Sequence, residues 1–409
     1  MQIQLGKTLD VEVVERQLAE LWQETVRDPN AGAEAAVLRA QVANLLVFVS
    51  NDAALDDVHQ MLGELTAIHP SRVLAMLGLR EATDEDIEMF VESICQTDKR
   101  TGAKRLSCEE ITLKAQGKFV IELPSAALPL LSPDLSTFLW WRNAPYISDK
   151  VLDKLLRATD RLVIDSAEFQ DPQPDLIETN KLFDEKDYDH VGVSDLNWAR
   201  LTFWRELLAD FYDVAAYQAW LDSVDSVQID YVAPEFDEAS VAPQALLFAG
   251  WLASRLGWTL ADEPPIQERD QVLLFKFRRE PRGSSPTPGS PAGQPGWGGA
   301  VMEGLADGEV QVKLNRVERG ERKPGRLVQV ELRSAHAASG SFRVARSDDN
   351  LHVLAEAKLG TDTHRGRVLP VRNRSAAQLL SREMEILCND QIYQEAVALV
   401  AKMIAAQTK

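Results

Sequence analysis

The hydrophobic positions of the amino-terminal half alternate between helical stripes and short continuous runs. A helical stripe is formed by Val11, Val14, Leu18, Leu21 and Trp22. Residues 42–50 form a continuous apolar run of strand length, typical of a strand covered on both faces. Further helices are predicted at 54–68, 124–131 and 149–158, and further strands at 72–79, 137–141 and 161–165. This alternation predicts an α/β layer with a mostly parallel sheet.

The segments 87–94 and 108–115 could form a hairpin in that layer, although the first is equally compatible with a helix. Cys95 and Cys108 flank the turn-like stretch between them, whose basic residues would favour a thiolate. The alternatives are two small, half-buried core residues or a reversible disulfide. Cys388 has no second cysteine nearby, so three cysteines cannot form a disulfide framework.

The carboxy-terminal half has a different pattern. Short alternating runs predict an antiparallel sheet with one wet face, followed by a long helix over 375–406; the runs are 272–278, 310–317, 327–332, 342–345 and 351–357. Residues 281–299 include eleven Pro or Gly and predict a disordered loop. We therefore expect an α+β domain with an antiparallel sheet and a long C-terminal helix.

The boundary between the two halves is predicted in the acidic stretch 171–195, where Pro172 and Pro174 suggest a surface crossing. The expected domains are an N-terminal α/β domain at 1–170 and a C-terminal α+β domain at 195–409. The aromatic helix at 195–213 is predicted to contribute to a core rather than to a cofactor pocket. A length of 409 residues is consistent with two domains.

Charge is distributed unevenly. Residues 272–382 carry nineteen Lys and Arg against eleven Asp and Glu, a net charge of +8, whereas the remainder carries −27. This acidic body argues against broad nucleic-acid binding and is compatible with docking of the basic region on an acidic protein or anionic ligand. The start of the chain lacks a signal-peptide pattern and no apolar run is long enough to span a bilayer, so a soluble, cytoplasmic protein is expected.

Catalytic and cofactor motifs are not found. The run at 42–50 leads into NDAALDD rather than a glycine-rich turn, and its acidic charge would repel a pyrophosphate. P-loop, nucleophile-elbow, zinc and calcium motifs are absent as well. His69 to Arg72 (HPSR) is a compact polar group that either supplies Arg72 for a phosphate or carboxylate, or forms a simple helix-to-strand turn. No cofactor is predicted.

Trp140 and Trp141 end the segment DLSTFLWWR. Neighbouring side chains of a strand point to opposite faces, so one sheet face cannot bury both rings. One of them therefore lies under a covering helix or on a surface that a partner covers.

The segments NLLVFVSND, HPSRVL, CEEI, PLLSPDLSTFLWWR and EMEILCNDQIY, in this order, resemble the OpcA family, the glucose-6-phosphate dehydrogenase assembly proteins of cyanobacteria and some actinobacteria. The resemblance extends over nearly the whole chain outside 281–299. It implies a non-catalytic partner that binds glucose-6-phosphate dehydrogenase and raises its activity in the oxidative pentose phosphate pathway. It also links cyanobacterial members to redox control by thioredoxin, but the cysteine spacing here assigns no switch.

Candidate contacts for such a partner are aromatic or basic and come from both halves: Trp140, Trp141, Arg72, Arg316, Arg319, Arg343 and Arg346. Cys95 and Cys108 are the candidate redox pair. The competing hypotheses are an enzyme or binding protein acting on a phosphorylated sugar, with Arg72 and the basic sheet holding the phosphate, and a scaffold without kinetic effect.

Overall fold

The computed structural model describes residues 2–4, 11–26, 41–83, 87–97, 104–235, 239–269, 271–279, 308–334, 340–359, 362–371, 373–386 and 388–407. The segment 281–299, predicted as a disordered loop, lies outside them. The described chain forms two compact units. The first contains Met1–Arg200 and Arg372–Gln394, and the second contains Leu201–Val371 and Glu395–Lys409.

The strands, in chain order, are β1 Gln2–Gln4, β2 Ala43–Val49, β3 Ser71–Leu79, β4 Ile87–Thr97, β5 Lys104–Gln116, β6 Thr137–Trp141, β7 Arg161–Ile164, β8 Gly192–Asp195, β9 Ser226–Val232, β10 Trp258–Leu260, β11 Ile266–Arg269, β12 Val272–Arg279, β13 Glu309–Val317, β14 Leu327–Ser334, β15 Gly340–Arg346, β16 His352–Leu359 and β17 Asp362–Pro370. The helices are α1 Val11–Val26, α2 Asp52–Ile68, α3 Leu123–Ala127, α4 Lys150–Leu156, α5 Pro172–Asp184, α6 Leu196–Asp210, α7 Ala215–Leu221, α8 Pro243–Leu256, α9 Ala376–Glu383 and α10 Gln391–Gln407.

The sheet of the first unit has the order β1-β4-β5-β3-β2-β6-β7-β8. From β5 to β8 all neighbours are parallel, and β4 and β1 add antiparallel strands at one edge. The prediction of a mostly parallel sheet is confirmed. Numbered among themselves, the six parallel strands lie in the order 3-2-1-4-5-6, which is that of a doubly wound dinucleotide-binding domain.

Both faces of this sheet are covered. Every residue of β2 is buried, as the continuous apolar run predicted. One face packs against α2 and α9 through a cluster that includes Leu55, Leu62 and Leu380. The predicted hairpin is confirmed as β4 and β5, which settles the strand-or-helix alternative for residues 87–94.

The prediction that the acidic stretch 171–195 crosses the surface is wrong. Pro172 and Pro174 open α5, because the first turn of a helix needs no amide hydrogen from these positions. Residues 192–195 then form β8, the last parallel strand of the sheet. The two compact units divide after Arg200, and residues 372–394 return to the first unit. These bounds differ from the expected 1–170 and 195–409.

The predicted helix over 375–406 is two helices. Ser375 and Gln378 form a capping box at the start of α9, which ends at Glu383. α10 begins after Asp390, whose carboxylate accepts a hydrogen bond from the amide of Tyr393 at 2.9 Å. Each helix therefore has its own amino-terminal cap.

The second unit contains a sheet with the order β10-β12-β13-β9-β14-β15-β16-β17, and β11 pairs with β12. All neighbours are antiparallel except β9 and β13, so the predicted antiparallel sheet is confirmed. On its core face, apolar residues of adjacent strands lie side by side; one such row is Phe275, Val312, Val227, Leu332 and Phe342. Phe342 lies within 4.6–5.2 Å, centroid to centroid, of the rings of Phe211, Tyr212, Tyr217 and Trp220.

The strand β17 is the last of this sheet on one side, and no described strand pairs with its outer edge. Its register with β16 shifts between Leu354 and Glu356, and a Cβ at Gly366 would overlap the carbonyl oxygen of Ala355. Pro370 ends the strand and Arg367 is exposed beside it. A bulge, a proline and a charged side chain are devices that protect a sheet edge from pairing.

We expect Gly250→Ala to destabilise the second unit. A Cβ at this position of α8 would lie 2.6 Å from the carbonyl oxygen of Ala396, a backbone atom that cannot rotate away. Overpacking of this kind costs about 1–3 kcal/mol of unfolding free energy, measurable by urea denaturation.

Gly63→Ala in α2 is the matched control, because nothing lies within 4 Å of its Cβ position. That change should be neutral or raise stability by up to about 1 kcal/mol, since alanine restricts the unfolded chain. Equal effects of both substitutions would contradict the close helix approach at Gly250.

Candidate functional site

The carboxyl ends of β2 and β6 meet at the point where the strand order of the first unit reverses. In doubly wound sheets a crevice forms at this point, and it is the usual ligand site. Ser50 follows β2, and Arg142 and Asn143 follow β6. The Ser50 hydroxyl donates to Asn143 Oδ1 at 3.1 Å, which joins the two sides of the crevice.

The amino terminus of α2, which would face a bound pyrophosphate, is already satisfied. The Asn51 side chain accepts the amide hydrogen of Ala54 at 2.8 Å. Asp52 lies in the first turn, and the exposed Asp57 follows in the second. Negative side chains at this positive end of the helix dipole oppose a second anion, and the turn contains no glycine to admit one. These residues do not fit a dinucleotide.

Arg142 fills the same crevice. Its guanidinium donates to both carboxylate oxygens of Glu168 at 2.8 and 3.0 Å and to the carbonyl oxygen of Ala54 at 3.1 Å. It also lies 5.2 Å from the ring centre of Trp140, a cation–π distance. Burial raises the pKa of the Glu168 carboxyl, and the hydrogen bond from Arg142 opposes that shift.

The next two strands also end in buried carboxylates. Asp165 follows β7 and is held by two hydrogen bonds from Arg200 at 2.6 and 2.7 Å. Asp195 ends β8 and accepts the amide hydrogens of Ser166 and Asn197 at 3.0 and 2.8 Å. Burial, followed by the nearby charge of Asp165, raises the pKa of Asp195 to about 6. This carboxyl can therefore exchange a proton near neutral pH.

None of these edge residues was predicted from the sequence. The available signal was a polar residue at or within two positions of the carboxyl end of each strand, namely Asn51, Arg142, Asp165 and Asp195. Parallel strands bring such residues to one edge of the sheet. The pairing of Arg142 with Glu168 and of Asp165 with Arg200 depends on how the helices are placed. The local sequence does not indicate it.

Trp140 and Trp141 point to opposite faces, as strand geometry requires, and both are buried, at 2% and 1% exposure. Trp140 belongs to the α2 side of the core, whereas Trp141 stacks on Phe48 with ring centres 4.2 Å apart. The sequence left two options, a ring under a covering helix or a ring on a surface that a partner covers. The structure has the first. The expectation of a tryptophan available to a partner is wrong, because both sheet faces are covered.

Arg72 lies at the amino end of β3, which is the edge opposite the crevice, and it is buried. Its guanidinium donates to Glu109 at 2.8 and 3.0 Å, to Glu15 at 2.7 Å and to the carbonyl oxygen of Leu130 at 2.9 Å. The Ser71 hydroxyl donates to the carbonyl oxygen of His69 at 2.8 Å. Arg72 therefore ties α1 and β5 together and is not presented to a ligand, contrary to the phosphate-binding hypothesis.

Arg316 and Arg319 line a cavity of about 300 Å³ in the second unit. It lies at the carboxyl ends of β9 and β13, the parallel pair, and Glu235, Gln271 and Glu318 contribute to its wall. Arg319 is exposed and Arg316 is half-buried. Two of the predicted contact arginines are thus brought together, in a wall of mixed charge.

The other two predicted arginines lie on opposite faces of β15. Arg343 faces the polar side and pairs with Glu356 at 3.3 Å and with Gln329 at 2.8 Å. Arg346 ends the strand near the core side, where its Nε donates to the carbonyl oxygen of Leu327 at 3.0 Å. The four arginines do not form one basic patch.

Cys95 and Cys108 lie on the paired strands β4 and β5. Cys108 is opposite Ile94, Cys95 is opposite Leu106, and the register shifts between Ile94 and Cys95. Their side chains lie outside the described part of the structure, so the disulfide hypothesis stays a prediction. Cys388 is free and exposed.

Within the described residues, no three His, Cys, Asp or Glu side chains are grouped as metal ligands. The same part of the chain contains no helix with the length and apolar character required to cross a bilayer.

Fold and site define a two-unit α/β protein whose doubly wound sheet lacks a dinucleotide-binding turn. Residues 63–181 match the family model of the glucose-6-phosphate dehydrogenase subunit N-terminal domain, and residues 191–397 match that of its C-terminal domain. The chain belongs to this OpcA family of glucose-6-phosphate dehydrogenase assembly proteins, which confirms the resemblance found in its sequence.

The relatives include an OxPP cycle protein OpcA of Nostoc punctiforme, 33% identical over 195 residues, which are 48% of this chain and 40% of that protein. An OpcA of Synechocystis sp. is 25% identical over 345 residues, or 83% of this chain and 65% of that protein. The chain thus spans less than two thirds of the length of these two relatives. An oxidoreductase from Sinorhizobium meliloti superposes with a TM-score of 0.46 at 11% identity, covering 90% and 98% of the two chains. A similarity at this level supports no inference about chemistry.

We expect Arg72→Met to lower the free energy of unfolding by about 3–5 kcal/mol, because it leaves the buried Glu109 carboxylate without its cation. The double variant Arg72→Met/Glu109→Gln should lose less, since no charge is stranded. Chemical denaturation of both variants tests this. A folded Arg72→Met protein of unchanged stability would restore a ligand-binding role for Arg72.

We expect Asp195 to make stability fall as pH rises from about 4 to about 6. Its folded pKa of about 6 exceeds the unfolded value of about 3.9, so the folded state binds more protons in this window. The full effect is at most about 3 kcal/mol. Asp195→Asn should remove this slope, and the difference between the two proteins isolates Asp195 from Glu168 and other carboxyls. Parallel stability curves would contradict a buried, titrating Asp195.

Proposed function

We propose that this chain binds glucose-6-phosphate dehydrogenase and raises its activity in the oxidative pentose phosphate cycle without transforming a metabolite itself. The match of residues 63–181 and 191–397 to the two subunit-domain models carries the proposal. The crevice of the first unit supports it, since Arg142 and Asn51 occupy the positions where a doubly wound enzyme would hold its nucleotide.

The mechanism we propose is linkage. A partner that binds the substrate-competent form of the dehydrogenase more tightly shifts the population toward that form. A tenfold change in apparent substrate affinity requires only about 1.4 kcal/mol of differential binding energy. No catalytic residue in this chain is needed for such an effect.

Contacts with the dehydrogenase are proposed on the second unit. Trp140, Trp141 and Arg72 are buried, and Arg346 lies near the core side, hydrogen-bonded to the carbonyl oxygen of Leu327. The remaining candidates are the exposed Arg319 and its neighbour Arg316 at the cavity, together with Arg343 on the polar face. Thioredoxin-dependent control through Cys95 and Cys108 is a separate proposal. The alternative function, action on a phosphorylated sugar, predicts turnover by the chain alone.

The test is an NADPH-formation assay with the cognate dehydrogenase, the purified chain, and their mixture, combined with gel filtration. We expect stimulation only in the mixture and co-migration of the two proteins. Turnover by the chain alone would favour the enzyme alternative, and co-migration with unchanged rates would favour a scaffold. Either outcome would overturn activation.

Arg319→Glu should weaken this stimulation by reversing an exposed charge at the cavity. Arg157→Glu is the control, because Arg157 is also an exposed arginine and lies in the first unit, at the carboxyl end of α4. If both variants lost the same share of the stimulation, the effect would come from net charge and not from a contact at Arg319.

A further inference from the structure

A second basic feature of the second unit involves Arg346 and Arg322. Arg346 is fixed in place: its Nε donates to the carbonyl oxygen of Leu327 at 3.0 Å, and its guanidinium carbon lies 5.6 Å from the ring centre of Trp204. Trp204 is itself buried in the core. The remaining guanidinium nitrogens of Arg346 are therefore presented in a defined direction.

Arg322 lies in the loop between β13 and β14, whose course is also fixed. The amide of Arg322 donates to the carbonyl oxygen of Arg319 at 3.0 Å, and the amide of Gly325 donates to that of Ala233 at 2.9 Å. Gly320 and Gly325 adopt the positive φ angles of 52° and 70° that this tight path requires. The Nε of Arg322 is buried and has no hydrogen-bond partner.

Neither guanidinium has a carboxylate partner among the described residues. Other arginines of the unit do: Arg343 pairs with Glu356 at 3.3 Å, Arg333 with Glu331 at 2.7 Å and Arg367 with Asp210 at 3.1 Å. The pKa of Arg346 is lowered, first by burial and then by the positive charge of Arg322, so the two cations lie close enough to repel each other.

Two partly buried like charges without a counter-ion destabilise a fold unless an anion offsets them. Two guanidiniums offer a charge of +2 and several planar N–H donors, which match the oxygens and charge of a phosphate dianion better than a single carboxylate. The surrounding charge also favours an anion, because residues 316–326 contain five Lys or Arg and two Glu.

We propose that Arg322 and Arg346, above Trp204, form a binding site for the phosphate of a small phosphate monoester. The site is distinct from the crevice of the first unit and does not depend on the dehydrogenase partnership. Trp204 supplies the apolar floor that fixes Arg346, and Leu327 sets its orientation.

The test measures binding of inorganic phosphate and of glucose 6-phosphate to the full chain by calorimetry, with glucose as the uncharged probe. We expect saturable binding of both phosphates, none of glucose, and weaker binding at higher ionic strength. Phosphate should also raise the thermal midpoint of the wild-type chain.

Arg346→Gln and Arg322→Gln should each weaken phosphate binding at least tenfold and abolish the thermal shift. Arg343→Gln is the matched control, because it removes an arginine from the same strand that already has its own carboxylate. Arg346→Gln removes the repulsion by Arg322 but also the contacts with Leu327 and Trp204, so the ligand-free midpoint of each variant is measured as well. A variant that is still folded at the assay temperature and has lost phosphate binding supports the site.

The proposal is overturned if the wild-type chain gives neither heat nor a thermal shift with phosphate, if Arg346→Gln binds as well as wild type, or if Arg343→Gln loses as much affinity as Arg346→Gln. Each of these results leaves the activation of the dehydrogenase untouched, so the two proposals fail separately.

Discussion

The parallel sheet of the first unit is covered on both faces, and this constraint decides where its polar chemistry can lie. Side chains along β2, β3 and β6 have no access to water, so charged groups collect at the strand ends. The amino-end group, around Arg72 and Glu109, holds the fold together. The carboxyl-end group, around Arg142 and Asp195, occupies the edge that related topologies use for ligands.

That second group explains why the crevice of this doubly wound topology does not fit a dinucleotide. Arg142 supplies the positive charge and Glu168 the negative charge within the chain itself, and Asn51 satisfies the helix terminus. The crevice is thus internally neutralised, and the strand order describes the architecture rather than the chemistry. This is consistent with a role exerted by contact with another protein.

The sequence allowed most of the architecture to be predicted, since continuous apolar runs and alternating runs mark buried and half-buried strands. The prediction failed at α5, where two prolines were interpreted as a surface crossing although prolines are also typical of the first turn of a helix. It placed Trp140 and Trp141 on opposite faces correctly, but burial of Trp140 requires α2 and α9, and α9 lies more than two hundred residues further along the chain. The partners of Arg72 and Arg200 were equally inaccessible, because ion pairs between distant segments leave no local pattern. Strand register finally separated Arg343 from Arg346, which composition had grouped together.

The bulge and the proline of the edge strand β17 limit how another protein can attach to the second unit. With a bulge at Gly366 and a proline at position 370, its outer backbone offers no continuous ladder for an incoming chain. Association by β-augmentation is therefore disfavoured at this end. A protein that contacts this end of the sheet would have to do so through side chains rather than through a shared backbone ladder.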